Sequence, residues 1–254
     1  MTTEPEPSKT LSAAHSVVGL LTQIAALTAG ASVLGLIAGW REAIAYFSSI
    51  GASWFVTSLT PIMLLERSAV LMAILAISAF FSIYSISQGE TSAKGLRWAS
   101  LALLIIALPL VNIAVFGDEF ISKKLIYFCT LLGGVALAAS AGTTIGEVVA
   151  RLADDQLKWN GYHAWLLYFV ASFALIQAPD RLGRAQAQFH IDPVQSALPV
   201  VQLAVPSPDK TWRLVALSGS QFLLVSLSEK ESGRTFRVVD ANAISEIRAG
   251  NVTP

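Results

Sequence analysis

Between Lys9 and Arg41 the chain contains no Asp, Glu, Lys or Arg, and the part from Val17 to Trp40 is almost wholly apolar. A helix rises about 1.5 Å per residue and the hydrocarbon core of a bilayer is about 30 Å thick, so about 20 such residues cross it. This run constrains the fold more than any motif does, and it is not alone. Comparable charge-free stretches recur from Pro61 to Ser87 (broken only by Glu66-Arg67), from Trp98 to Phe116, from Leu125 to the edge of Glu147, and from Trp159 to Ala178. The residues are 54% apolar and only 13% charged, about half the charge that a soluble domain carries. Lipid therefore has to replace water around much of the surface.

The sequence predicts five spans: Val17–Trp40, Pro61–Ser87, Trp98–Phe116, Leu125–Val149 and Trp159–Ala178. The fifth is expected to stop at Pro179-Asp180, and the third to be loosened by Pro109. A six-span alternative would let Ala43–Leu65 cross as well. That stretch carries many Ser and Thr and would have to reverse at Glu66-Arg67, where no turn residue stands. Thr60-Pro61 is a good helix start, so Arg41–Leu59 is read as an interfacial amphipathic segment. Glu4 and Glu6 outweigh Lys9 ahead of the first run, which is unlike the basic start of a signal peptide, so that run is read as a retained helix. Basic residues near the span ends divide five to six, too even for the positive-inside rule to orient the chain. With the Arg41–Leu59 segment taken as an external cap, the N-terminus lies inside. Five spans then put the C-terminus outside, with a bacterial inner membrane as the expected location.

Composition changes after Pro179. Residues 180–197 read as a stalk. From Leu198 onward five short β-patterned runs follow, each bounded by turn residues: Val200–Val205, Trp212–Leu217, Phe222–Leu227, Thr235–Val239 and Ile244–Arg248. Their spacing, with a one-turn bridge between the last two, resembles SH3-like or Sm-like small barrels. That resemblance implies a module that binds or packs rather than one that catalyses. Its predicted core is Leu214, Ala216, Phe222, Leu224, Phe236, Val238 and Ile247. The predicted organisation is thus a tail over residues 1–15, an all-α membrane bundle over 16–179 with the interfacial segment at 41–59, a stalk over 180–197, and a small all-β domain over 198–254.

Inside the spans the clearest pattern is Gly134, Ala138, Gly142 and Gly146, with a shorter version in Ala31, Gly35 and Gly39. Small residues every fourth position let another helix approach closely, either within one chain or between copies in a homo-oligomer. Intramembrane polar groups are few: Gln23, Asn112, and Glu147 with Arg151 one turn on. The pair Glu147–Arg151 reads mainly as a snorkelling surface pair, and otherwise as a pore or ion site. Cys129 is alone, which excludes an intrachain disulfide, and no metal-ligand spacing or hydrolase motif is present. Net charge is zero, so nucleic acid is not an expected partner. No cofactor or metal is expected either. The sequence therefore points to a non-enzymatic membrane scaffold or sensor that self-associates and offers its β-domain to a protein partner. The alternative is an oligomeric pore or membrane effector, for example of a bacterial defence system, gated through that domain.

Overall fold

The computed structural model describes residues 9–89, 92–117, 121–153, 161–192, 196–204, 210–228 and 233–249; the side chains of 9–27, 116–117 and 152–153 fall outside the description. Helices α1 (Lys9–Ile50), α2 (Pro61–Ser87), α3 (Ala93–Val111), α4 (Ile113–Gly117), α5 (Lys123–Ala153), α6 (Gly161–Ser172) and α7 (Ala178–His190) come first. Strands β1 (Val200–Leu203), β2 (Trp212–Ser218), β3 (Gln221–Ser226), β4 (Thr235–Asp240) and β5 (Ile244–Arg248) follow. Three helices among the described residues are long and apolar enough to cross a membrane: Pro61–Ser87, Ala93–Val115 and Lys123–Arg151. They coincide with the predicted second, third and fourth spans. In the predicted first span the side chains of residues 17–27, Gln23 included, fall outside the description.

Two predicted helix boundaries are corrected. The first helix does not end at Arg41: residues 41–50 continue it rather than forming a separate short helix. Helix α1 continues to Ile50 because its charges are met inside the protein: Arg41 pairs with Asp180 at 3.3 Å and Glu42 lies 3.7 Å from Arg67. Beyond Arg41 it buries Ala43, Tyr46, Phe47 and Ile50, a stripe at helical spacing that faces the core. Gly51, at φ 93°, ends it. There Ala52 N–H donates to the Phe47 carbonyl at 2.8 Å and Gly51 N–H to the Ser48 carbonyl at 3.2 Å, the pair of bonds of a Schellman cap. A 3₁₀ turn, Ser53–Ser58, then leads to Pro61, which starts α2 as predicted, although the Thr60 side chain makes no capping bond.

The second correction concerns Pro179. It does not stop the fifth run, since a π-helical turn, Phe173–Gln177, joins α6 to α7 without a break. The wider turn accommodates a ring that would clash in regular α geometry. The predicted stalk is consequently part of the bundle over Asp180–His190, with Leu182, Gly183, Ala185 and Ala187 buried. Pro109 behaves as predicted: α3 ends at Val111, two residues on, and resumes as α4.

Helix α5 is the centre of the bundle. Its Gly134, Gly142 and Gly146 lie against Leu71, Leu75, Ser78 and Ser82 of α2, advancing in the same direction along both helices, so the two run parallel. Its neighbouring face meets α3 in the antiparallel sense, with Gly133 against Val111 and Ser140 against Ser100. Charged side chains gather at the two ends. Arg41, Glu42, Glu66, Arg67, Lys123, Lys124, Asp180, Arg181 and Arg184 mark the end that carries the sheet, and Lys94, Arg97, Glu147 and Arg151 the other. Between these layers Ser68–Ser87 of α2 and Leu125–Gly146 of α5 are uncharged, each about 30 Å long. The outside of this slab exposes Phe80, Phe81, Ile105, Ile106, Phe128, Leu132, Tyr168 and Phe169, a belt suited to hydrocarbon rather than water.

The five strands form one antiparallel sheet in the order β4-β3-β2-β1-β5. It is open. The turn between β2 and β3 uses Gly219 at φ 58°. Both faces of β3 are covered, so Leu223, Leu224 and Val225 are all buried. Phe222 and Leu224 join Val201, Trp212 and Val239 in the sheet's own core. Leu223 turns the other way and joins Tyr46, Phe47, Phe55 and Ala187, with Val215, Ala216 and Phe236 alongside. Two residues predicted to be core, Val238 and Ile247, are exposed instead.

A Cβ at Gly142 would run into the Leu75 carbonyl and Ser78. The variant Gly142→Leu should therefore lower stability by at least the ~1–3 kcal/mol typical of overpacking, seen as a lower thermal midpoint in detergent. Its mass in detergent should equal that of the wild type, because the helix pair it forces apart lies within one chain.

Candidate functional site

Two polar clusters occupy the two charged layers. The one away from the sheet is built on Glu147, which is only 2% exposed. Its Oε1 accepts from Arg97 Nη2 at 2.9 Å and from Arg151 Nη2 at 2.8 Å and Nε at 2.9 Å. Arg97 Nη2 also lies 2.7 Å from His163 Nε2. An arginine can only donate, so Nε2 accepts and the imidazole carries its proton on Nδ1. The Tyr162 ring sits under the Arg97 guanidinium at 5.6 Å. One turn further in, the Ser100 hydroxyl bonds those of Ser140 and Thr144 at 3.0 and 2.6 Å. Glu147–Arg151 is thus an ion pair, as its spacing implies, but a buried one that ties α3, α5 and α6 together. The snorkelling surface reading is corrected. Its extra partners, Arg97 and His163, come from helices that the sequence alone does not bring to it.

The other predicted polar positions fall elsewhere. Asn112 Nδ2 donates at 2.9 Å to the Leu108 carbonyl of its own helix, which also accepts the Asn112 backbone N–H at 3.3 Å. Gln23 lies outside the described side chains. In the shorter stripe, Gly35 packs on Leu65 and Ser68, and Gly39 on the Leu64 backbone, all of α2, while Ala31 is exposed. The glycines of both rows, and Ala138 with them, are therefore packed against helices of the same chain.

The second cluster lies where the bundle meets the sheet, and sequence reasoning missed it. Helices α1 and α7 run side by side because Gly183 lets the α7 backbone rest on the Glu42 carbonyl and the Tyr46 amide. Tyr46 Oη lies 2.9 Å from His190 Nδ1. The Arg67 guanidinium stacks 4.8 Å over the Tyr46 ring and 5.3 Å from that of Phe47, positions that favour a cation. Asp180 holds Arg41 on one side and Arg184 on the other, at 3.3 and 3.0 Å. Burial pushes Glu42 up to about 7, with Arg67 pulling the other way. Burial, reinforced by Arg67, pushes His190 down to about 4, and burial raises the Tyr46 phenol. The phenol therefore donates to a neutral imidazole.

A cleft of about 560 Å³ opens beside this cluster, lined by Glu42, Glu66, Arg67 and Gln186, and by the apolar Met63, Val70, Leu131, Leu182, Val215 and Leu217. Glu42 is 4% exposed, yet its Oε2 has no hydrogen-bond partner among the described residues, and the same is true of the Gln186 Oε1. One signal for this site is present in the sequence. The dyads Arg41-Glu42 and Glu66-Arg67 close one long apolar run and interrupt the next, and oppositely charged dyads at facing helix ends pair readily.

The pH dependence has opposite signs at the two groups. A raised Glu42 contributes stability that is full below about 4.5 and lost as pH climbs through about 7. A lowered His190 contributes stability that is full above about 6.5 and lost as pH falls toward about 4. Between pH 4.5 and 6.5 the two slopes oppose each other. The variant Glu42→Gln should therefore gain stability relative to the wild type as pH is raised from 4.5 to 7, by a few kcal/mol. The difference in thermal midpoint measured across that range checks this, and a constant difference would contradict it.

No protein-family model, no curated protein and no solved structure matches the chain.

Proposed function

We propose that the chain is a non-enzymatic, multi-pass membrane scaffold or sensor that presents its C-terminal sheet to a protein partner. The way the sheet is held carries this reading. Its Leu223 face is seated on α1 and the following 3₁₀ turn, and the Ser218 hydroxyl donates to the Ser58 carbonyl. That leaves β4 and β5 as unpaired edges, with Val238 and Ile247 exposed on them. An open strand edge is a ready template for an added strand. A module fixed directly to the bundle also couples a contact at its edge to the helices beneath. The strand order, with the 3₁₀ turn Ala241–Ala243 between β4 and β5, supports the SH3-like or Sm-like kinship. Placement in a bacterial inner membrane, with the sheet outside, rests on the sequence argument. The exposed Phe80-Phe81 and Trp165–Tyr168 surfaces offer a homo-oligomer its contacts.

The pore or membrane-effector alternative draws less support. Of the polar groups that would line a conduit, those with described side chains are engaged in structural bonds, Asn112 with Leu108 and Glu147 with Arg97 and Arg151.

In-cell photo-crosslinking from the strand edges tests the reading. The wild type should capture a discrete protein. The double variant Val238→Glu, Ile247→Glu should lose that capture at an unchanged thermal midpoint, as surface changes cost little. Ion flux through liposomes carrying the wild type, or capture unaffected by the double variant, would contradict it.

A further inference from the structure

The cleft at the bundle–sheet junction is built for an amphiphile, and nothing among the described residues satisfies it. Glu42 Oε2 and Gln186 Oε1 are buried acceptors without donors among the described residues. Buried polar atoms are nearly always paired, so two orphans lining one cavity point to a missing donor. Beside them the Arg67 guanidinium offers donors of its own. It stands over Tyr46 and Phe47 and 3.7 Å from Glu42 Oε1, too far for a hydrogen bond, and it makes none among the described residues. Glu66 adds a second carboxylate at the exposed rim. The polar wall thus holds acceptors and donors side by side, and a ligand with a cationic donor next to an anionic acceptor would answer both.

The rest of the lining says what carries that headgroup. Met63, Val70, Leu71, Leu131 and Leu182 are apolar. The cleft straddles the boundary at which α2 and α5 pass from the charged layer into the uncharged slab. A soluble zwitterion would leave this lower half unfilled, whereas a phospholipid would place its headgroup on the polar wall and its glycerol and first methylenes below.

We propose that this cleft is a binding site for a phospholipid whose headgroup bears a primary ammonium beside its phosphate. The ammonium donates to Glu42 Oε2 and Gln186 Oε1, and the phosphate accepts from Arg67. A quaternary ammonium fits the charge but brings no N–H to the orphaned oxygens. A headgroup without a cation leaves Glu42 unmet. Selectivity for the primary amine is therefore the signature of the site. The site does not depend on what, if anything, the sheet recruits.

The test uses the full chain, delipidated in mild detergent and titrated separately with phosphatidylethanolamine, phosphatidylcholine and phosphatidylglycerol. Native mass spectrometry counts retained lipid, and thermal midpoints are read on the same samples. The wild type should retain one phosphatidylethanolamine at concentrations at least tenfold below those needed for the other two lipids, with a matching rise in midpoint. Glu42→Gln and, independently, Gln186→Met should each lose that preference; both are close in size to the native residue. Glu246→Gln, on exposed β5, should keep it. Equal retention of the three lipids by the wild type would overturn the proposal, as would a preference that survives both variants. Saturation by soluble phosphoethanolamine with no gain from acyl chains would overturn the assignment to a lipid.

Discussion

Everything in the bundle depends on how closely α5 can be approached. Its Gly133 lies on Val111 of α3, and its Gly142 and Gly146 lie on Leu75, Ser78 and Ser82 of α2. A helix in hydrocarbon gains little from burying apolar side chains against its neighbours, because lipid tails solvate them equally well; contact has to come from close packing and from hydrogen bonds. Helix α5 supplies both on adjacent faces. Toward α2 it presents bare backbone, and toward α3 the buried hydroxyls of Ser140 and Thr144, which bond Ser100. Glu147 closes this seam by drawing Arg97 and Arg151 onto one carboxylate oxygen.

At the opposite end the same scarcity of charge serves a different purpose. Three ion contacts in the sheet-side layer join one element to another: Arg41 to Asp180, Lys123 to Asp192 at 3.1 Å, and Arg67 beside Glu42. The sheet settles on this layer through Leu223, so span, junction and sheet form a continuous packed path. Glu42 is also buried with its second oxygen unmet among the described residues. A carboxylate in that condition is held near its neutral form, and a donor arriving in the cleft would stabilise the charge. Ligand binding and ionisation at this position are therefore linked.

The three apolar helices, the start at Pro61, the break after Pro109 and the five strands are legible because each is written locally, as an uncharged run, a proline or an alternating pattern between turn residues. The errors arise where tertiary partners override local signals. Arg41-Glu42 reads as the end of a helix until Asp180 and Arg67 arrive from other helices to pair with it. Pro179 reads as a stop until a π turn makes room for its ring. Alternation alone places Val238 in the core, but β4 is an edge strand with one face open. The site at the junction is illegible for the same reason: Glu42, Arg67, Gln186 and His190 are far apart in sequence, and none belongs to a motif. The glycine rows are legible as close-approach surfaces, though not as to whose helix approaches.

That last question separates this account from its strongest rival, in which α5 mediates contact between copies. In a Cys129→Ser background, Ser100→Cys and Ser140→Cys place two thiols where the native hydroxyl oxygens lie 3.0 Å apart between α3 and α5. Oxidation in native membranes followed by non-reducing electrophoresis and intact-mass measurement reads the outcome directly. The account predicts a monomer lighter by two hydrogen atoms, given up to the oxidant on forming an internal disulfide, at any expression level. A covalent dimer as the main product, growing with expression, would contradict it.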